Sequence, residues 1–209
     1  AAIKSFLRYL EYRLPSCLEL ARQVHAIPMK KHEQAVVRYL HREEIHALLE
    51  APDPDAPAGL RDRAMLHLGY AAGLRVSELV GVTLEDLGRP GLDTVRIMGK
   101  GRRERILPLW KETTRMIRDW IRVRPEVEEP HLFLNARGKP MSRHGFAHRL
   151  ALHAKTAAMA EPSLADKRIH PHLLRHNLGY IFISGCDPRP PQAAESKWNF
   201  RRLRSFYPT

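Results

Sequence analysis

The chain has no apolar run approaching the ~18–20 residues that cross a bilayer as a helix, so no membrane-spanning role is expected. Its start, Ala1-Ala2-Ile3-Lys4-Ser5-Phe6, lacks the basic stretch, apolar core and small-residue cleavage site of a secretory leader. Cysteine is scarce. Cys17 and Cys186 stand far apart with no CxxC pair, which argues against a disulfide scaffold or a cysteine-based zinc module and suits a reducing cytosol. A Walker motif, an obvious carboxylate cluster, internal repeats and low-complexity tracts are also missing.

Acidic charge is in short supply: 23 Asp and Glu face 35 Lys and Arg, for a formal charge of +12. That excess favours a polyanionic partner, nucleic acid ahead of an anionic membrane surface. With 44% hydrophobic and 28% charged residues over 209 positions, the chain has the composition of a folded protein large enough to bury a core.

Apolar positions at helical spacing mark a first helix through Ile3-Lys4-Ser5-Phe6-Leu7-Arg8-Tyr9-Leu10, ending near Pro15. Residues 22–37 are polar, basic and Pro-containing, and read as a linker. A compact domain is then expected from residue 38 onward. Its helices are read at Glu43 to Leu49, Leu60 to Ala72, from Arg75, at 110–123, at 143–159 and at 171–184. Thr94 to Met98 and Arg105 to Leu109 alternate around the glycine-bearing turn Gly99-Lys100-Gly101-Arg102-Arg103, which predicts a β-hairpin. His131 to Leu134 reads as a short extended piece. The expected fold is mainly α with a small antiparallel β-sheet.

Three clusters carry possible chemistry. In Gly73-Leu74-Arg75-Val76-Ser77-Glu78-Leu79, an arginine follows a helix-breaking glycine at a helix start. Its guanidinium fork suits a phosphate, although taken alone a surface arginine paired with Glu78 or Asp86 is the plainer reading. Lys100, between two glycines and near Arg102, Arg103 and Arg105, can enter a DNA groove or can be a solvated turn guarding a sheet edge. In His170-Pro171-His172-Leu173-Leu174-Arg175-His176, His172 and Arg175 lie at i and i+3 and can face one anion, with Leu173 and Leu174 in the core. A metal hydrolase built on His170, His172 and His176 is a distant alternative. The glutamate of HExxH is missing there, and the Arg175 cation opposes a metal.

Together these boxes resemble the tyrosine recombinase (phage integrase) family. Gly73 to Leu79 looks like its first-arginine box, Gly99 to Leu109 like its catalytic-lysine hairpin, and His172-Leu173-Leu174-Arg175-His176 like its H-x-L-R-H box. The resemblance implies a remnant of an N-terminal helical core-binding domain at 1–21, the linker at 22–37 and the family's catalytic domain at 38–209, with 176–209 atypical. That tail lacks the family's Leu-Gly-His, and Pro190 and Pro191 interrupt the helix expected there. Trp198 and Tyr207 nonetheless fall where the family places its third His or Trp and its nucleophilic tyrosine. Two readings of the tail therefore stand: a working nucleophile, or a truncated, frameshifted remnant that binds DNA without cutting it.

The activity implied by the resemblance is DNA strand cleavage and rejoining in site-specific recombination through a 3′-phosphotyrosyl link. Tyr207 would attack the phosphate and His172 would act as general base. Arg75, Arg175 and Trp198 would hold the non-bridging oxygens, Lys100 would protonate the leaving 5′-oxygen, and Glu78 would hold Arg75 or His172 in place. Lys30, Lys31, Arg102 and Arg103 would follow the flanking DNA backbone. No cofactor is implied, because arginines and a lysine supply the charge that metal ions supply elsewhere. The implied partners are double-stranded DNA and further copies of the chain in a tetrameric synapse. The implied location is the cytoplasm, on the bacterial nucleoid.

Overall fold

A computed structural model describes residues 2–28, 39–99 and 103–184, with side chains to Asn177. The chain divides into two compact units, residues 1–37 and 38–209.

In the first unit, α1 (Ala2–Arg13) and α2 (Leu18–Ala26) are joined by a single 3₁₀ turn at Pro15–Cys17. Leu7 and Ala21 are its buried apolar residues. Helix α2 corrects the linker expected at 22–37, because residues 22–26 are its last turns. Ala21, Val24 and His25 recur at i, i+3 and i+4 on its covered side, and His25 Nε2 lies 3.2 Å from Glu11 Oε1 of α1. Pro28 ends the helix by forcing Ile27 into an extended conformation (φ −64°, ψ 118°).

The second unit holds α3 (Arg42–Glu50), α4 (Pro57–Ala71), α5 (Val76–Val80), β1 (Thr94–Met98), β2 (Glu104–Pro108), α6 (Lys111–Val123), α7 (Arg143–Ala160) and α8 (Pro171–Ser184). It is mainly helical with one small sheet, as the hydrophobic pattern predicts. Helix α4 is covered nearly all round: Ala64, Met65, Leu66, Leu68 and Tyr70 are all buried. It packs against α3, α5, α6 and α8. Helix α6 is amphipathic by contrast, burying Thr113, Met116, Ile117 and Trp120 at helical spacing. The Trp120 indole N–H donates to Leu132 O at 2.8 Å, which ties α6 to the buried segment Leu132-Phe133-Leu134.

The hairpin pairs Thr94 with Pro108 through to Met98 with Glu104, so β2 begins one residue before the alternation suggests. On α8, Asn177 is wholly buried and accepts the Leu40 N–H at 2.7 Å, so the start of this unit is stapled to its last described helix. Among the described residues no helix is long and apolar enough to cross a membrane.

Candidate functional site

The site begins where α4 stops. Gly73 sits at φ +55°, the left-handed conformation glycine adopts without strain. Its N–H donates to Tyr70 O at 3.2 Å and the next N–H, of Leu74, reaches back to Gly69 O at 3.1 Å. This Schellman closure satisfies the last carbonyls of α4 and turns the chain sharply. Leu74 is buried after the turn, which delivers Arg75 in extended geometry (φ −68°, ψ 151°) as the residue preceding α5. The Glu78 carboxylate reaches back to the Arg75 N–H at 2.9 Å, as in half of a capping box.

Glu78 is the hub of the site, only 6% exposed at its side chain. Arg75 Nη1 donates to its Oε1 at 2.8 Å, and Arg105 Nη2, from β2, donates to Oε2 at 2.8 Å. From α8, Arg175 Nη1 lies 3.7 Å from the same Oε2 and donates to Gly73 O at 3.0 Å. Burial by itself pushes the Glu78 carboxyl upward. The backbone and side-chain hydrogen bonds from Arg75, with the charges of Arg105 and Arg75, outweigh burial and hold its pKa below the ordinary value. One carboxylate thus faces three guanidiniums, and the net local charge is positive. The Arg75 side chain is 47% exposed, so much of its donor edge faces outward, where an anion can be bound bidentately.

Helix α8 begins at Pro171, a residue suited to a helix start because it has no N–H to leave unpaired. Leu173 and Leu174 are buried and anchor it, while His172 and His176 are exposed and Arg175 is half-buried. The His172 ring lies 6.5 Å from that of His170 and 6.4 Å from that of His176, centroid to centroid. Burial first, then the charges of His172, Arg168 and His176, push the His170 pKa down. No group of three metal-ligating side chains occurs among the described residues.

The structure therefore brings Arg75, Glu78 and Arg175 together across about a hundred positions of sequence, with His172 one turn before Arg175. The choice of partner for Arg75 resolves to Glu78. Asp86 instead accepts from Arg96 Nε at 3.2 Å and from the Thr83 N–H and hydroxyl. Glu78 was expected to hold Arg75 or His172; among the described residues its partners are Arg75, Arg105 and Arg175. Arg103 is exposed at the foot of the hairpin, where its carbonyl accepts the Gly99 N–H at 2.8 Å. Lys30, Lys31, Lys100, Arg102, Trp198 and Tyr207 lie outside the described residues.

Arg105 is the residue of this cluster that motif reading left without a role. Strand alternation could have found it: it shares the inward face of β2 with Leu107, an unusual place for an arginine lacking a carboxylate partner.

Comparison with known proteins gives the family and the fold. The sequence model of the phage integrase family matches residues 38–190. The integrase/recombinase y4rC of Sinorhizobium fredii is 38% identical over 187 residues, covering 89% of this chain and 56% of that protein. Tyrosine recombinase XerD of Halalkalibacterium halodurans is 34% identical, covering 92% of this chain and 63% of the relative. The chain thus spans somewhat over half the length of these curated relatives. Among solved structures, XerA recombinase superposes with a TM-score of 0.61 at 21% identity, over 87% of this chain and 66% of that one. XerH site-specific recombinase in a post-cleavage complex with palindromic difH substrate gives 0.61 at 20% identity, over 84% and 51%. At such identities these two structures speak for the fold alone. With the family's sequence model matched across most of its length and the same fold in solved recombinases, this chain belongs to the phage integrase family.

Proposed function

We propose that the protein cleaves and rejoins duplex DNA in site-specific recombination, through a covalent 3′-phosphotyrosyl intermediate. The observation that carries this reading is the convergence of Arg75 and Arg175 on Glu78, beside the exposed His172. Two guanidiniums held by one buried carboxylate can grip the non-bridging oxygens of a single phosphodiester and offset the charge that builds in its transition state.

In this reading the Tyr207 hydroxyl attacks phosphorus as its proton passes to His172, and the P–O5′ bond breaks as Lys100 protonates the departing 5′-oxygen. The phosphotyrosyl bond conserves the energy of the broken bond, so the 5′-hydroxyl of another strand reseals the DNA by the reverse step. Trp198 adds an indole N–H donor to the same oxygens. Lys30, Lys31, Arg102 and Arg103 follow the flanking backbone, where each neutralised phosphate adds affinity that salt removes. The partners are duplex DNA and further copies of this chain in a tetrameric synapse, on the nucleoid.

The test is a nicked duplex carrying the sequence that the purified chain selects from a random-duplex pool. A covalent protein–DNA adduct formed in EDTA and lost in Tyr207→Phe supports the reading. Salt-sensitive binding without an adduct reduces the function to DNA binding, and cleavage that EDTA abolishes overturns it in favour of a metal hydrolase.

A further inference from the structure

We propose that Arg105 is a positioning residue for the arginine pair: by docking on Glu78 it fixes the carboxylate that sets Arg75 and Arg175. The proposal rests on the functional reading above and deepens it, since it concerns the same site.

Arg105 pairs with Ile97 across the hairpin and alternates with Ile106, which is 58% exposed on the outer face. Its side chain therefore enters the face that buries Ile97 and Leu107. The side chain keeps 26% of its surface exposed, and the part of its charge that is desolvated there is costly unless it is matched. The match is Glu78 Oε2 at 2.8 Å, on an element 27 positions earlier in the chain. The Arg105 Nε–H is buried and has no hydrogen-bond partner among the described residues. A side chain kept in such a place at the expense of an unsatisfied donor is held there, among the described residues, by its contact with Glu78.

That contact decides what Glu78 can do. With Arg105 on Oε2, the carboxylate already accepts the Arg75 N–H on one oxygen and Arg75 Nη1 on the other. Arg175 then stays at 3.7 Å, with its Nη1 donating to Gly73 O. Without Arg105, Oε2 gains a vacant lone pair, and Arg75 or Arg175 can close on it as a bidentate pair. A guanidinium drawn into that pairing turns its donor edge away from an incoming phosphate. Arg105 thus keeps both arginines half-engaged, and it links the strand that follows the hairpin turn to the elements that bear them.

The experiment compares Arg105→Met and Arg105→Lys in the full chain, with Glu78→Gln and the Glu78→Gln/Arg105→Met double variant. Single-turnover cleavage of the selected nicked duplex is expected to slow about tenfold or more in Arg105→Met while duplex affinity changes less than about threefold. Arg105→Lys is expected to recover part of the rate. In the Glu78→Gln background, Arg105→Met is expected to add little, because the two residues act as one unit. A second readout needs no cleavage: ¹³C NMR titration of the Glu78 carboxyl in the DNA-free protein. Loss of the Arg105 charge moves that titration up, and the acid limb of the cleavage profile moves with it, whereas Arg105→Lys leaves both near their original positions. Wild-type cleavage with an unmoved Glu78 titration in Arg105→Met overturns the proposal, as does a fully additive double variant. Failure of the wild-type chain to form any adduct overturns the functional reading instead, and the titration alone then decides whether Arg105 governs Glu78.

Discussion

Two carboxylates in this molecule each gather a group of cations, and the two groups behave oppositely. Asp62 of α4 is 2% exposed at its side chain. Arg61 Nε and Nη2 donate to its Oδ1 at 2.9 and 2.7 Å, while Arg149 Nε and His153 Nε2, from α7, meet Oδ2 at 2.5 and 2.8 Å. The remaining end of Arg61 donates to Leu134 O at 3.0 Å. Both oxygens are saturated, and the group closes α4 onto α7. Glu78 is nearly as buried, yet it accepts only three close donors, and its arginines turn part of their edges to solvent. A saturated cluster is a structural clasp. An unsaturated one with exposed guanidiniums is a binding site.

Asp62→Ala has the largest expected effect, because it leaves Arg61, Arg149 and His153 around a vanished charge. Loss of a buried partner of this kind is expected to destabilise folding by about 3–5 kcal/mol, read as a fall in the urea midpoint at pH 7. Arg75→Ala should do the reverse. Its folding stability stays near wild type because the side chain is half exposed, while cleavage of the nicked duplex falls on the order of 10²–10³-fold. A large stability loss in Arg75→Ala, with activity tracking it, would erase the distinction between clasp and site.

Acid offers a third test. Burial, then the charges of Arg63, Arg115 and His46, push the pKa of His67 on α4 down to about 3. Its unfolded form takes a proton near the ordinary imidazole value, so stability falls as the pH drops below about 6.5, by about 1.4 kcal/mol per unit from this group alone. Asp62 and Glu78 work in a lower window. Burial raises both carboxyls, and their partners outweigh it. For Asp62 these are the His153 and Arg61 contacts above all. Their contribution is present above the unfolded carboxylate values and is lost as the pH falls through the folded ones. Urea unfolding at pH 7, 6 and 5 should therefore show a slope that His67→Gln reduces by about 1.4 kcal/mol per unit, leaving the smaller share of His170, and that Glu78→Gln leaves in place. The smallest effect belongs to Arg96→Ala at the exposed Asp86 pair, about 0–1 kcal/mol in the same assay. It measures what surface charge is worth without burial.

Much of this was legible in local sequence. Gly73 after the apolar run marks the end of α4, and the spacing of His172, Leu173, Leu174 and Arg175 already separates core-facing from outward residues. The alternation around Gly99 predicts the hairpin to within a residue. Helix α2 was not legible over 22–26. Its covered side holds only a few small or polar positions, a pattern that a basic, Pro-terminated stretch hides. Arg105 and Asp62 escaped notice for a different reason. An arginine in a charged run looks solvated until strand register turns it inward, and nothing near Asp62 in sequence announces Arg149 or His153.

Local spacing carries the short-range devices: the glycine that turns the chain before Arg75, the leucines that anchor α8, and the glutamate three residues after Arg75 that reaches back to its N–H. Each depends on backbone geometry within one turn of helix or strand, where spacing is informative. The sharing of one Glu78 carboxylate by arginines from three separate elements, and the sealing of Asp62, arise in the folded core. Charge pairing across tens of residues depends on which faces meet in the folded core, and local spacing does not encode that meeting.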